Sequence, residues 1–155
     1  PATDPEPVKP VVPAPAPVTK TVNEYSGDGW SLQLPLDFQK KDLENNSVLI
    51  AGWQPSSKVL VLLVRSPSND SLDDFTGDLF NAFALKGMKV SSLSKGILNN
   101  VPFVKCDLTK ENMTVRNWIL MSKGYAYSLA CGGASANVED NVFICSKIAA
   151  TLKLN

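Results

Sequence analysis

From Trp30 to Leu34 apolar and polar positions alternate, the period of a strand with one buried face, and Pro35 removes the donor needed to continue it. Val48 to Trp53 reads as a second strand, and Gln54-Pro55-Ser56-Ser57 as the turn after it. Val59-Leu60-Val61-Leu62-Leu63-Val64 has no alternation, as expected of a central strand covered on both faces. Beyond the break at Ser66-Pro67-Ser68-Asn69-Asp70 the period lengthens to that of a helix. Leu72, Phe75, Leu79, Ala82 and Phe83 form one stripe, Ser71 stands at the N-cap, Asp73 and Asp74 lie in the first turn, and Gly87 is placed to end it. A weaker strand, Lys89 to Ile97, precedes a three-strand meander over Val101–Leu108, Met113–Met121 and Tyr125–Cys131, and Gly132-Gly133 is expected to end the sheet. Asn137 then caps a last helix whose Val138, Val142, Cys145, Ile148, Ala149 and Leu152 face the core. Strand pairs on short turns, interrupted by two helices, predict an α+β protein: a mainly antiparallel sheet with helices on both faces, an α/β/α sandwich.

The pattern disappears before Tyr25. Residues 1–18 hold seven of the eleven prolines, and residues 1–24 contain neither glycine nor an aromatic side chain. Proline-spaced Val and Ala lack the donors for a helix or a ladder, so residues 1–24 are expected to be a disordered, extended linker and 25–155 a single globular domain. The chain begins at Pro1 without methionine and is read as a processed or trimmed product. The linker is expected to join the domain to a membrane anchor such as a lipidated cysteine, or to another domain. A bare disordered terminus and a proline-rich ligand, for which Pro7-Val8-Lys9-Pro10 has the formal P-x-x-P spacing, are the alternatives. No run of 18 apolar residues is present.

Composition removes several chemistries. Fifteen basic and fifteen acidic residues give zero formal charge, without the basic excess of a nucleic-acid binder. The absence of histidine excludes a Ser-His-Asp triad and removes the commonest general base and zinc ligand, and there is no C-x-x-C. No metal or cofactor is expected. The acidic cluster Asp70, Asp73, Asp74 and Asp78 lacks calcium-loop spacing and is explained by helix capping. The carboxylate pairs Asp107/Glu111 and Asp37/Asp42 are the candidates for a small hydrolase, and Gly132-Gly133-Ala134-Ser135 for an anion nest, with a plain turn as its simpler reading.

Three cysteines, Cys106, Cys131 and Cys145, leave at least one thiol. Cys106 and Cys131 lie on strands flanking the middle meander strand, about 10 Å apart, too far to bond. Three buried thiols acting as small apolar residues is the plainer reading. The alternative is one disulfide, with Cys131–Cys145 the favoured pair, which would point to an oxidising compartment.

The candidate partner-binding surface lies on the meander. Thr114, Arg116, Trp118 and Leu120 share one strand face and Val115, Asn117, Ile119 and Met121 the other. Pairing Cys106 with Val115 sets Lys105 beside Arg116 and Phe103 beside Trp118; a two-residue slide changes the pairs but not the faces. Aromatics with arginine are the usual make-up of a binding hot spot. Phe103, Lys105, Arg116 and Trp118, with Trp53 as a second candidate, are the residues expected to touch a partner. In the competing reading the first helix covers this face and Trp53 anchors the core.

The segment Tyr25-Ser-Gly-Asp-Gly-Trp30-Ser-Leu-Gln-Leu-Pro35-Leu-Asp-Phe38 resembles the opening of PsbP-like proteins: a glycine turn, an aromatic, an alternating strand, a proline and a second aromatic. The order of later elements over residues 25–154 is similar too. This superfamily includes photosystem accessory proteins, a Ran-binding nuclear transport factor and bacterial envelope lipoproteins. The resemblance implies the α/β/α sandwich and a role in binding or scaffolding without catalysis, and the proline-rich leader matches the lipoprotein branch. Histidine metal sites of some relatives cannot carry over. The expectation is therefore a non-enzymatic, exported, monomeric domain, periplasmic or outer-membrane-anchored in a bacterium, that binds a protein partner in the envelope. Membrane contact would run only through an N-terminal anchor outside this chain. A small-molecule or lipid carrier, with an apolar cavity between sheet and helix, and a carboxylate hydrolase are the alternatives.

Overall fold

The computed structural model describes residues 3–8, 10–11, 13–14 and 20–155. Two sheets and two helices follow one another along the chain. The first hairpin, β1 (Val22–Gly27) and β2 (Trp30–Pro35), forms a three-stranded sheet with the C-terminal β10 (Lys153–Leu154). A seven-stranded sheet contains β3 (Gln39–Lys41), β4 (Val48–Gln54), β5 (Val59–Pro67), β6 (Lys89–Leu98), β7 (Val101–Lys110), β8 (Met113–Ser122) and β9 (Tyr125–Ala134), in the spatial order β3-β4-β5-β9-β8-β7-β6. Every pair in it is antiparallel. Helix α1 (Leu72–Leu85) joins β5 to β6, and α2 (Val138–Ala149) follows β9 through a 3-10 turn.

The α+β class holds, and the apolar run at Val59–Val64 is an interior strand between β4 and β9. Two boundaries differ from expectation. Strand β1 starts at Val22, inside the span assigned to the linker, because Val22 to Gly27 find ladder partners on β2 from Pro35 to Trp30. The described residues between 3 and 14 are exposed and carry no helix or strand; the linker expectation for residues 1, 2, 9, 12 and 15–19 lies outside the described residues. Strand β9 continues through Gly132-Gly133 to Ala134. Glycine suits these positions because the backbone is crowded: a Cβ on Gly132 would run into the Thr114 carbonyl, and one on Gly133 would lie 2.6 Å from the Lys58 carbonyl oxygen. These two glycines are ladder residues, which removes the anion nest.

The two faces of the large sheet are filled unequally. On one, α2 and the small sheet seal a core in which Leu32, Leu34, Val61, Leu63, Leu129 and Ile148 are fully buried or nearly so. On the other, α1 lies alone, and Thr76 is its one buried residue. The local signals for α1 are all realised. Ser71 Oγ accepts from the Asp74 N–H at 3.1 Å, and Gly87 has φ of +77°, letting the Gly87 and Met88 N–H groups reach Ala84 and Phe83 carbonyls at 3.0 Å. Asn137 holds the N-cap position of α2, but its side chain makes no capping bond. Helix α1 is thus well formed locally and loosely seated.

Candidate functional site

Of the surface expected on the meander, Trp118 is buried, and Phe103, Lys105 and Arg116 are half-buried. Observed pairing sets Cys106 opposite Asn117, Lys105 opposite Trp118, Asp107 opposite Arg116 and Phe103 opposite Leu120. This is the two-residue slide, so the faces are those foreseen and the cross-strand neighbours are not. The face bearing Arg116 and Trp118 turns towards α2 and the small sheet. Trp118 is 5 % exposed within the main core, and Leu120 is buried beside it. Arg116 Nε and Nη2 donate to the two Asp107 carboxylate oxygens at 2.9 and 3.3 Å, forming a mostly buried fork. Phe103 is half-buried against the core and lies over Gly96, where a Cβ would meet its ring at 2.6 Å. Lys105 is half-buried. Coverage by α2 and the small sheet, not by α1, is what buries Trp118. Trp53 is half-buried on the opposite face, across from Leu60.

The cysteines divide between the faces. Cys131 and Cys145 form a disulfide that ties β9 to α2 across 14 residues. Cys106 is a buried free thiol on the α1 face, and burial followed by the Asp107 charge pushes its pKa up from 9.0 to about 11. A thiol held protonated to that extent is a poor nucleophile. Of the acid pairs, Asp107 is engaged by Arg116, and Asp37 Oδ2 accepts from Gln54 Nε2 at 2.6 Å. Asp73 pairs with Lys95 at 2.9 Å in an exposed ion pair, and the described residues contain no group of three or more potential metal ligands.

The feature that stands out lies beneath α1. A cavity of about 680 Å³ separates the helix from the sheet. Its roof is Phe75, Leu79 and Phe83, the helical stripe read from the sequence, none of which is fully buried. Its floor is Leu60, Leu62 and Val64 of β5 and Val115 and Asn117 of β8, with Ala126, Ser128 and Ala130 of β9 between them. The cause is local. On β9 the residues facing α2 are Tyr127, Leu129 and Cys131, while those facing α1 are Ala126, Ser128, Ala130 and Gly132. A central strand with only small side chains on one face cannot fill the roughly 10 Å layer between a sheet and its cover. The volume falls within the range of ordinary ligand pockets, roughly 300–1,000 Å³, and the wall is mostly hydrocarbon.

Register gives the cavity its direction. Lys110 pairs with Met113 at the β7–β8 turn, and Lys86 caps α1 three residues before Lys89, which pairs with Thr109; Lys86, Lys110, Glu111 and Met113 form one end of the cavity. Ser66, opposite Ala126, marks the other. Leu60 to Ser66 of β5 therefore run the length of the space, roughly 20 Å at 3.3 Å per residue. Asn117 shares this face of β8 with Val115, Ile119 and Met121. It is 1 % exposed, and its Oδ1 accepts from Ser128 Oγ at 2.7 Å. The signal for the site was legible in the large–small alternation of Tyr125 to Ala130, which is unlike the uniformly large β5.

No family model and no curated protein matches the sequence. Solved structures do match. Cyanobacterial PsbP (CyanoP) from Synechocystis sp. PCC 6803 superposes with a TM-score of 0.71 at 11% identity, over 92% of this chain and 98% of that one. LpqN, involved in cell envelope biogenesis of Mycobacterium tuberculosis, gives 0.62 at 13% identity, over 88% and 92%. A protein of Bacteroides thetaiotaomicron VPI-5482 gives 0.61 at 12% identity, over 88% of this chain and 49% of that one. The fold is PsbP-like.

Proposed function

We propose that this is a non-enzymatic, exported binding domain whose ligand is an apolar small molecule or lipid, held between α1 and the sheet. The observation that carries the reading is the 680 Å³ cavity, lined by the apolar stripe of α1 and the small-residue face of β9. Of the three functions considered from sequence, the carrier is the one that required such a space. Burial of Trp118 and pairing of Arg116 weaken the reading in which that patch binds a protein. The hydrolase reading has no support in the cavity, where Glu111 is the single acid. Export is favoured by the Cys131–Cys145 bond, since such bonds persist in oxidising compartments, and by the likeness to an envelope protein of similar fold. In this reading the proline-rich segment is a tether to the envelope, and the domain works there as a monomeric accessory to a protein partner.

The test is binding of N-phenyl-1-naphthylamine, a neutral apolar dye that fluoresces when it leaves water. Saturable enhancement is expected with the native domain, and Ala130→Phe, which places a ring in the floor, should weaken it at least tenfold while the domain remains folded by circular dichroism. Absence of saturable binding, or binding indifferent to Ala130→Phe, would overturn the reading.

A further inference from the structure

Among the residues lining the cavity, charge occurs at one end only: Lys86, Lys110 and Glu111. The two cations outnumber the one anion, and none of the three takes part in either ion pair of the described residues. Away from that end the lining is hydrocarbon with a few neutral polar groups, of which Asn117 is the most deeply buried. Its Oδ1 is used by Ser128, whereas its Nδ2 has no hydrogen-bond partner among the described residues. Asn117 is among the residues that line the cavity, which places its amide at the wall. An amide donor in an apolar wall is costly unless something accepts from it. Asn117 lies four residues along β8 from Met113, roughly 13 Å into the space, and a lysine side chain bent inward spans about half of that.

We infer that the cavity takes a single-chain amphiphile with an anionic head group: the head lies between Lys86 and Lys110, Asn117 Nδ2 donates to a carbonyl oxygen linking head to chain, and the chain runs beneath α1 towards Ser66. This rests on the ligand-cavity reading and adds head-group charge and the linking carbonyl to it. Both lysines are exposed at the mouth, so an anionic head gains their attraction while a neutral or cationic head gains none, and a pure hydrocarbon would bring Asn117 no acceptor.

Displacement of the naphthylamine dye by defined amphiphiles below their micelle concentrations tests it. 1-Palmitoyl-lysophosphatidylglycerol should displace the dye at about fivefold lower concentration than 1-palmitoyl-lysophosphatidylcholine, which has the same chain and ester but a zwitterionic head. In K86Q/K110Q that ratio should fall to about one. Asn117→Leu should abolish the preference for lysophosphatidylglycerol over hexadecyl phosphate, which is anionic but has no carbonyl. Equal displacement by the two lysolipids in the native domain, or a preference that survives K86Q/K110Q, overturns the inference and leaves the cavity reading standing. Failure of the dye itself to bind overturns both.

Discussion

Trp118 and Asn117 are adjacent on one strand and do opposite work because strand side chains alternate between faces. The indole of Trp118 fills the sealed layer, so Trp118→Ala should lower unfolding free energy by about 3–5 kcal/mol, measured by urea denaturation. A change below about 1 kcal/mol would return Trp118 to the surface role first read for it. Cys106 makes a second prediction at this scale. Its thiol has a folded pKa of about 11 against an ordinary 9.0. Between these values the unfolded chain has lost the proton and the folded chain keeps it, so stability falls as pH rises from about 9 to about 11. Cys106→Ala should flatten that part of the profile, read as the denaturation midpoint at each pH. What sequence could not assign was burial. An aromatic–arginine row on an amphipathic strand looks the same whether a helix covers it or not, and the docking of α2 is fixed by contacts distant in sequence from β8.

The two helices were equally legible as periodic stripes with caps, and they differ in what lies beneath them. Helix α2 meets Trp118, Leu129 and Cys131 and is fixed to β9 by a disulfide. Closing a loop of that size contributes about 3 kcal/mol by restricting the unfolded chain. C131A/C145A should therefore lose about 2–4 kcal/mol, and thiol titration of the unfolded, unreduced protein should count one thiol per chain; a count of three would refute the bond. Helix α1 faces alanine, serine and glycine on β9, so its stripe has no close counterpart. Filling that gap should tighten the helix. Ala126→Leu is expected to preserve or raise the melting temperature while reducing dye binding, whereas a drop of several degrees would mean that the layer is already packed. The succession of the main elements along the chain was readable because turns such as Ser122-Lys123-Gly124 and Lys110-Glu111-Asn112 mark it locally, whereas the division into two sheets was not. Strand β1 was not readable either, because Val22 to Gly27 acquire their structure from pairing with β2 and have no strong signal of their own.

The whole molecule is a PsbP-like sandwich with two unlike layers: a disulfide-tied core on the α2 side and an apolar space on the α1 side. Its proline-rich segment should contribute reach and no stability, so exchanging residues 1–20 for a Gly/Ser linker of equal length should leave the melting temperature unchanged. The account depends on the space under α1 being a ligand site, and the most direct measurement is a nitrogen–proton correlation titration of the domain with palmitoyl-lysophosphatidylglycerol. The prediction is saturable shifts confined to the lining segments, α1 with Lys86, β5, Lys110 to Asn117 and the Ala126–Ala130 stretch, with the amides of β1, β2 and β10 unmoved. An unchanged spectrum, or shifts centred on α2 and the small sheet, would contradict it.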